Sequence, residues 1–198
     1  MRRAVFLDRD GVLVEDTHLL TRAEELRVLP GVAEGLRRLG SAGFALVVVT
    51  NQAVVARGLV TERDIDGIHR HLEQLLREAG APGIDGWFVC PHHPDATLEA
   101  YRVACDCRKP APGLLLRAAR ELALDLERSF LVGDRPTDIA AGRRAGCRTV
   151  LVQTGMHDRP PIRTVEPLDP AIRPDHVCAD LPAAADWILE VAEHAEAA

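Results

Sequence analysis

The stretch FALVVVT, residues 44–50, runs for seven positions without a charge and carries three valines in succession. A strand with one wet face alternates apolar and polar side chains, so a run with no polar face must be covered on both sides. The covering elements follow the same rhythm along the chain. AVFL (4–7) reads as a short buried strand, and GVAEGLRRLGSAG (31–43) as a helix opened by Pro30 and closed by Gly43. Thr61 has the chemistry of an N-cap, and Ile65, Ile68, Leu72, Leu75 and Leu76 fall on one face of the helix behind it. GWFVC (86–90) is a third strand, PGLLLRAARELAL (112–124) a helix with Pro112 near its first turn, and SFLVGD (129–134) a fourth strand. TDIAAGRRAG (137–146) is a helix and RTVLV (148–152) a fifth strand. A loop with Pro160, Pro161, Pro167, Pro170 and Pro174 comes next, then a short strand near HVCA and a helix from about 182. Repeated strand–helix units predict an α/β fold, a Rossmann-like doubly wound parallel sheet with helices on both faces.

With 198 residues the chain is expected to form a single domain over 1–198. The net charge of -6, with arginines scattered, argues against a nucleic-acid face. No apolar run approaches the ~20 residues that span a bilayer, and MRRAVFLDRD is too short in apolar residues for a signal peptide. A cytoplasmic monomer without membrane partners is the expectation. Five cysteines, at 90, 105, 107, 147 and 178, are an odd and clustered set; in a reducing compartment such a set reads as metal ligands before disulfides.

Polar residues gather where the strands end. Asp8-Arg9-Asp10-Gly11-Val12 follows the first strand, Thr50-Asn51 closes the second, and Gly133-Asp134 closes the fourth, with Asp138 shortly after. In parallel sheets ligands sit beyond the carboxyl ends of the strands, so these groups share an edge. Crowded carboxylates need a cation among them, and oxygen ligands suit Mg²⁺. Of the 24 basic residues only Lys109 is a lysine. A compact ammonium fits between a carboxylate and a phosphoryl oxygen where a flat guanidinium does not. One carboxylate as nucleophile and another as acid/base, with Mg²⁺ and a fixed ammonium to offset the anions, is the chemistry of phosphoryl transfer. The expected partner is therefore a small-molecule phosphate ester.

DRDGV resembles the first motif of the haloacid-dehalogenase-like phosphohydrolases. Thr50, Lys109 and GDRPTD (133–138) are similar to the second, third and fourth motifs of that superfamily, in order and on the expected elements. The resemblance runs from about residue 4 to 190. It implies that Asp8 is the nucleophile that forms an aspartyl-phosphate, and that Asp10 protonates the leaving alkoxide and then deprotonates water. It implies that Thr50 and Lys109 hold the phosphoryl group. Asp8, the Asp10 backbone carbonyl and Asp134 would bind Mg²⁺, with Asp138 in support.

Cys90-Pro-His92 and Cys105-Asp-Cys107 supply four ligands in two close pairs, a Cys₃His combination suited to structural Zn²⁺. Spacing alone does not choose between His92 and His93. The polar stretch HPDATLEAYRVA between the pairs has no core pattern, which a metal staple over 90–107 would remedy. CPHHP with CDCRKP is similar to the zinc loop of the heptose-bisphosphate phosphatase and histidinol-phosphatase group, which implies His92 and no large cap domain. The same resemblance extends to FALVVVTNQ, to ARG (56–58) and to Arg108. It makes Asn51, Gln52, Ala53, Arg57, Arg108, Lys109 and Arg135 the substrate-binding candidates. Ala53-Val54, DTHLL (16–20) and Arg135 depart from the usual heptose pattern.

The implied reaction is removal of the 7-phosphate of a heptose 1,7-bisphosphate. Histidinol phosphate or another small phosphate ester is the alternative, and a non-catalytic zinc-stapled binding module the more distant one. Cys147 and Cys178 read as small core residues. His18, His69, His71, His157, His176 and His194 have no partner spacing and are read as mostly solvated.

Overall fold

The computed structural model describes residues 1–17, 19–155 and 171–197. In chain order the elements are β1 (Ala4–Leu7), α1 (Val32–Ser41), β2 (Ala45–Asn51), α2 (Ala53–Ala56), α3 (Glu62–Glu78) and β3 (Gly86–Cys90). There follow α4 (Gly113–Glu121), β4 (Phe130–Gly133), α5 (Pro136–Ala145), β5 (Arg148–Val152), β6 (His176–Cys178) and α6 (Leu181–Ala197). The strands form one parallel sheet in the order β3-β2-β1-β4-β5-β6.

The two-sided burial expected of β2 is present, and it divides by the period of two. Leu46 and Val48 point into one apolar layer with Val5, Leu7, Phe130 and Val132; Leu36 and Leu39 of α1, Ile65 and Leu72 of α3 and Ile188 of α6 cover it. Ala45, Val47 and Val49 point into the other with Phe6 and Leu131, under Leu114, Leu115 and Ala118 of α4 and Ala141 of α5. Full burial of each large apolar side chain contributes roughly 1.5–3 kcal/mol, so both layers help to hold the helices on the sheet.

The local signals act as their chemistry requires. Thr61 and Asp64 form a capping box at the start of α3: the Asp64 N–H donates to Thr61 Oγ1 (3.2 Å) and the Thr61 N–H to Asp64 Oδ2 (2.8 Å). Pro136 occupies the first turn of α5, and Gly146 closes it at φ 88°. Two elements differ from expectation. The helix read over 112–124 ends at Glu121, because Ala123 adopts φ 53° and turns the chain. The short helix α2 was not anticipated; it lies directly after β2 and carries Ala53. Pro160, Pro161, Pro167 and Pro170 of the proline-rich loop, like His18 and His157, lie outside the described residues. No helix among the described residues is long and apolar enough to cross a membrane.

In this strand order the direction of winding reverses between β1 and β4, and a crevice opens beyond their carboxyl ends. Asp8 is the first residue past β1 and Asp134 the first past β4.

Candidate active site

Asp8 is anchored by its own N–H, which donates to Val132 O at 3.0 Å and extends the pairing of β1 with β4 by one residue. Its Oδ1 accepts from the Arg9 N–H (2.8 Å) and lies 3.0 Å from Lys109 Nζ. Lys109 is 3% exposed. Its ammonium also lies 2.6 Å from Asp138 Oδ1 and donates to Val49 O at 2.8 Å, so its three N–H groups meet three protein oxygens. Burial opposes its charge, but the Asp138 and Asp8 carboxylates override that and hold its pKa above the ordinary lysine value. The loop carrying Lys109 is fixed by Asn51: the Asn51 Nδ2 donates to Lys109 O and the Lys109 N–H donates to Asn51 Oδ1, both at 3.1 Å.

Asp134 and Asp138 are both buried. The Arg135 N–H donates to Asp138 Oδ2 at 3.0 Å, which sets the carboxylate at the N-terminus of α5. Carboxylate oxygens of Asp8, Asp134 and Asp138 all lie within 4.8 Å of one another. Two glycines make this crowding feasible. A Cβ on Gly133 would stand 2.2 Å from Asp138 Cβ, and one on Gly11, itself at φ +80°, would stand 2.5 Å from Asp134 Oδ2. Three buried carboxylates around one ammonium leave an excess of negative charge that hard divalent cations match, and the bare glycine wall beside Asp134 keeps room there. The donor set fits Mg²⁺.

Asp10 faces a different network. Its Oδ1 accepts from Arg9 Nε (3.0 Å) and Nη2 (2.9 Å), and its Oδ2 from Arg9 Nη2 (2.9 Å) and Gln52 Nε2 (2.8 Å). Burial raises its pKa, against the opposing Arg9 charge and reinforced by the Asp8 carboxylate. Gln52 Nε2 also donates to Thr50 Oγ1 at 2.9 Å, and Gln52 Oε1 accepts from Arg9 Nη2 at 2.9 Å.

The cysteine pairs converge as well. Cys90 Sγ is 3.2 Å from Cys107 Sγ and 3.7 Å from Cys105 Sγ, well beyond the ~2.05 Å of a disulfide. His92 Nδ1 lies 3.3 Å from Cys107 Sγ and 3.8 Å from Cys90 Sγ. All four ligand atoms are within 4.8 Å of one another, a candidate metal cluster. His93 stands apart, its Nδ1 accepting from the Asp95 N–H at 3.0 Å. Hydrogen bonding from Cys90 in the first place, and from Cys105 and His92, pulls the Cys107 thiol down to about 5 against the effect of burial. A thiolate is the form a metal takes.

The HAD-hydrolase-like family model matches residues 106–184. A D-glycero-beta-D-manno-heptose-1,7-bisphosphate 7-phosphatase of Rhodopseudomonas palustris is 45% identical over 145 residues, 73% of this chain and 80% of that protein. The D-glycero-D-manno-heptose-1,7-bisphosphate 7-phosphatase of Thermosynechococcus vestitus is 40% identical over 190 residues, 94% of this chain and 95% of that protein. The chain belongs to this phosphatase family. Among solved structures, the D,D-heptose 1,7-bisphosphate phosphatase of B. bronchiseptica, complexed with magnesium and phosphate, superposes with a TM-score of 0.79 at 35% identity. It covers 96% of this chain and 99% of that one. Membership of the family makes the protein a phosphatase of the HAD-like hydrolases, and the reading as a non-catalytic binding module does not hold.

Not every residue expected at this phosphatase site faces one place. Asn51 and Gln52 spend their amides on Lys109, Thr50, Asp10 and Arg9. Ala53 opens α2 and is half-buried. Arg57 is exposed, and its charge helps depress the pKa values of His93 and Arg108, each lowered first by burial. Arg108 donates to His92 O at 3.0 Å, tying this basic group to the cysteine cluster. Arg135 donates to Asp16 Oδ2 at 2.7 Å and lies 3.9 Å from Asp134 Oδ2.

Of the cysteines outside the cluster, Cys147 is a core residue as expected, with its thiol pushed up to about 12 by burial, while Cys178 is half-buried on β6. His69 corrects the expectation for the remaining histidines: it is buried, stacked on Trp87 at 4.5 Å between ring centroids, with Nε2 3.3 Å from Arg9 Nη1. Arg9 was missed too, although it is 1% exposed and touches both Asp10 and Gln52. For His69 the available signal was a polar residue on the apolar face of α3, one turn after Ile65.

Proposed function

We propose that this phosphatase removes the 7-phosphate of D-glycero-D-manno-heptose 1,7-bisphosphate through an aspartyl-phosphate on Asp8. The observation that carries the mechanism is the Lys109 ammonium, fixed 3.0 Å from Asp8 Oδ1 in a pocket of buried carboxylates. The substrate is supported by relatives that carry this activity in their names and match nearly the whole chain.

In the first step an Asp8 carboxylate oxygen attacks phosphorus and the bond from phosphorus to the sugar oxygen breaks. The electron pair goes to that oxygen, and the Asp10 carboxyl delivers a proton to it. The raised pKa of Asp10 favours the protonated form that this step needs. In the second step the Asp10 carboxylate takes a proton from water, the water oxygen bonds to phosphorus, and the bond from phosphorus to Asp8 breaks. Phosphate leaves and both carboxyl groups return to their starting states. Lys109 holds the Asp8 carboxylate in place through their ion pair, while Thr50 and Lys109 receive the phosphoryl group.

Asp8, Asp134 and the Asp10 carbonyl would hold Mg²⁺, with Asp138 supporting through Lys109. When bound, the ion supplies positive charge that offsets the anionic phosphoryl group. Cys90, His92, Cys105 and Cys107 would hold a structural Zn²⁺, leaving no open position, and so fix the loop that leads to Lys109. Arg57, Arg108 and Arg135 are the cationic candidates for the rest of the substrate, with Asn51, Gln52 and Ala53 shaping the floor. A reduced thiol cluster suits the cytoplasm, one continuous sheet suits a single domain, and a net charge of -6 suits a monomer without nucleic-acid partners.

The test is turnover of heptose bisphosphate, fructose bisphosphate and histidinol phosphate with and without Mg²⁺, with ³¹P NMR to identify the ester cleaved. Mg²⁺-dependent loss of the heptose 7-phosphate at the highest kcat/KM is expected. A preference for histidinol phosphate, or loss of the 1-phosphate, would refute the substrate.

A further inference from the structure

The motif residue between the two aspartates faces inward. Arg9 is among the largest fully buried side chains, and its guanidinium has three partners: the Asp10 carboxylate, Gln52 Oε1 and His69 Nε2. The first two belong to the site. His69 does not; it lies on α3, 60 residues away in sequence, on the face that otherwise presents Ile65, Ile68, Leu72 and Leu76 to the core. An imidazole in that layer gives up hydration that a leucine would not need. Two contacts define its place: the indole of Trp87, stacked at an interplanar angle of 20°, and Arg9 Nη1. Burial in the first place, with the Arg9 charge behind it, holds the ring neutral, its pKa lowered to about 3. A neutral ring that offers Nε2 as acceptor can receive a guanidinium N–H; a protonated one cannot.

We propose that His69 is a positioning residue for the leaving-group acid: by fixing the far edge of the Arg9 fork, it fixes the direction in which the Asp10 carboxyl points. Arg9 reaches Asp10 through Nε and Nη2, and His69 through Nη1. The guanidinium is planar and rigid, so an anchor at one corner sets the angle of the other two. Gln52 closes the frame, joined to Arg9 through Oε1 and to Asp10 and Thr50 through Nε2. Trp87 wedges the imidazole from β3, the strand next to β2. Tilting the fork would rotate the acid away from the leaving oxygen without moving Asp8, Lys109 or the carboxylates beside them.

This inference rests on the reading of Asp10 as the acid, and the experiment separates the two. An alkoxide leaving group needs a proton, whereas p-nitrophenolate departs as the anion. The ratio of kcat/KM for heptose bisphosphate to that for p-nitrophenyl phosphate therefore reports the acid, since kcat/KM covers the steps through departure of the leaving group. His69→Leu, which keeps the volume and removes the acceptor, should lower this ratio by about 10-fold, a fraction of the ~10²–10⁴ that a positioned acid contributes. His69→Gln, which places an amide oxygen near Nε2, should restore it to within about 3-fold. Asp10→Asn should lower it further than either.

Equal losses on both substrates in His69→Leu, while Asp10→Asn still separates them, would make His69 a structural partner of Arg9 and overturn the proposal. If Asp10→Asn does not separate the substrates, the reading of Asp10 falls and this one with it. Should His69→Leu fail to fold by circular dichroism, His69→Phe, which keeps a ring against Trp87 and removes the acceptor, is judged by the same ratio.

Discussion

Replacing Lys109 with arginine keeps the charge and changes almost everything else about the group. The ammonium is one nitrogen whose three N–H bonds diverge to Val49 O at 2.8 Å, Asp138 Oδ1 at 2.6 Å and Asp8 Oδ1 at 3.0 Å. A guanidinium spreads its donors over three nitrogens in a plane and cannot meet three oxygens that converge on a point. With the side chain 2% exposed, there is no solvent side into which the extra bulk can move. Either Asp8 or Asp138 shifts, on the order of an ångström, and a reacting atom misplaced by that much costs ~10²-fold in rate. A 10²-fold loss is about 2.7 kcal/mol of transition-state stabilisation.

The fold should suffer less than the rate. The buried carboxylates keep a counter-charge, so the stability loss is the ~1–3 kcal/mol of overpacking, not the ~3–5 kcal/mol of an unpaired buried charge that Lys109→Met would leave. The assay is kcat for p-nitrophenyl phosphate at saturating Mg²⁺, with urea denaturation and metal content measured on the same preparations. A kcat for Lys109→Arg within about 3-fold of the parent would refute the geometric argument and make the single lysine an accident of composition.

Asp8→Asn should be folded and inactive, because an amide is not an anionic nucleophile; it should trap no phosphate on the chain in a denaturing quench, and Mg²⁺-dependent turnover in a clean preparation would rule out the aspartyl-phosphate. Protein purified without chelator should carry one Zn²⁺ per chain, and Cys107→Ser should lose it and lower kcat, since Lys109 is two residues further on; a serine variant that retains full zinc would show the ligand set to be wrong. His69 also predicts a pH dependence of stability. Its pKa falls from 6.5 to about 3 on folding, mainly by burial. Between those values the unfolded chain binds the proton and the folded one does not, so this contribution to stability is intact above pH 6.5 and is lost as pH falls, by up to ~1.4 kcal/mol per pH unit. Urea denaturation from pH 4.5 to 7.5 should give a shallower slope for His69→Gln than for the parent; equal slopes would mean that the ring is not buried neutral.

The sequence by itself determined most of the elements and the candidate reacting groups, because both are written in short-range pattern. A short, valine-rich apolar run such as residues 44–50 favours a doubly covered strand, and period-2 burial in β1, β2 and β4 then distributes the side chains between two layers. The carboxylates at the ends of β1 and β4 were legible for the same reason, each in a local motif at a strand end, and the lone lysine was legible from its singularity in the loop before α4, two residues after Cys107. Tertiary structure decided which buried polar groups meet. His92 and His93 are adjacent in sequence, yet only the first turns toward Cys90 and Cys107, and the second is occupied by the Asp95 N–H. Asn51 is a polar strand end in the sequence; only the fold turns its amide onto the backbone of Lys109, 58 residues away. His69 read as a solvated ring, and Arg9 had no assigned role, until β1 and α3 were packed together. A buried donor must find an acceptor, but nothing in local periodicity says which distant side chain will supply it; that is settled only when the sheet and helices close around both.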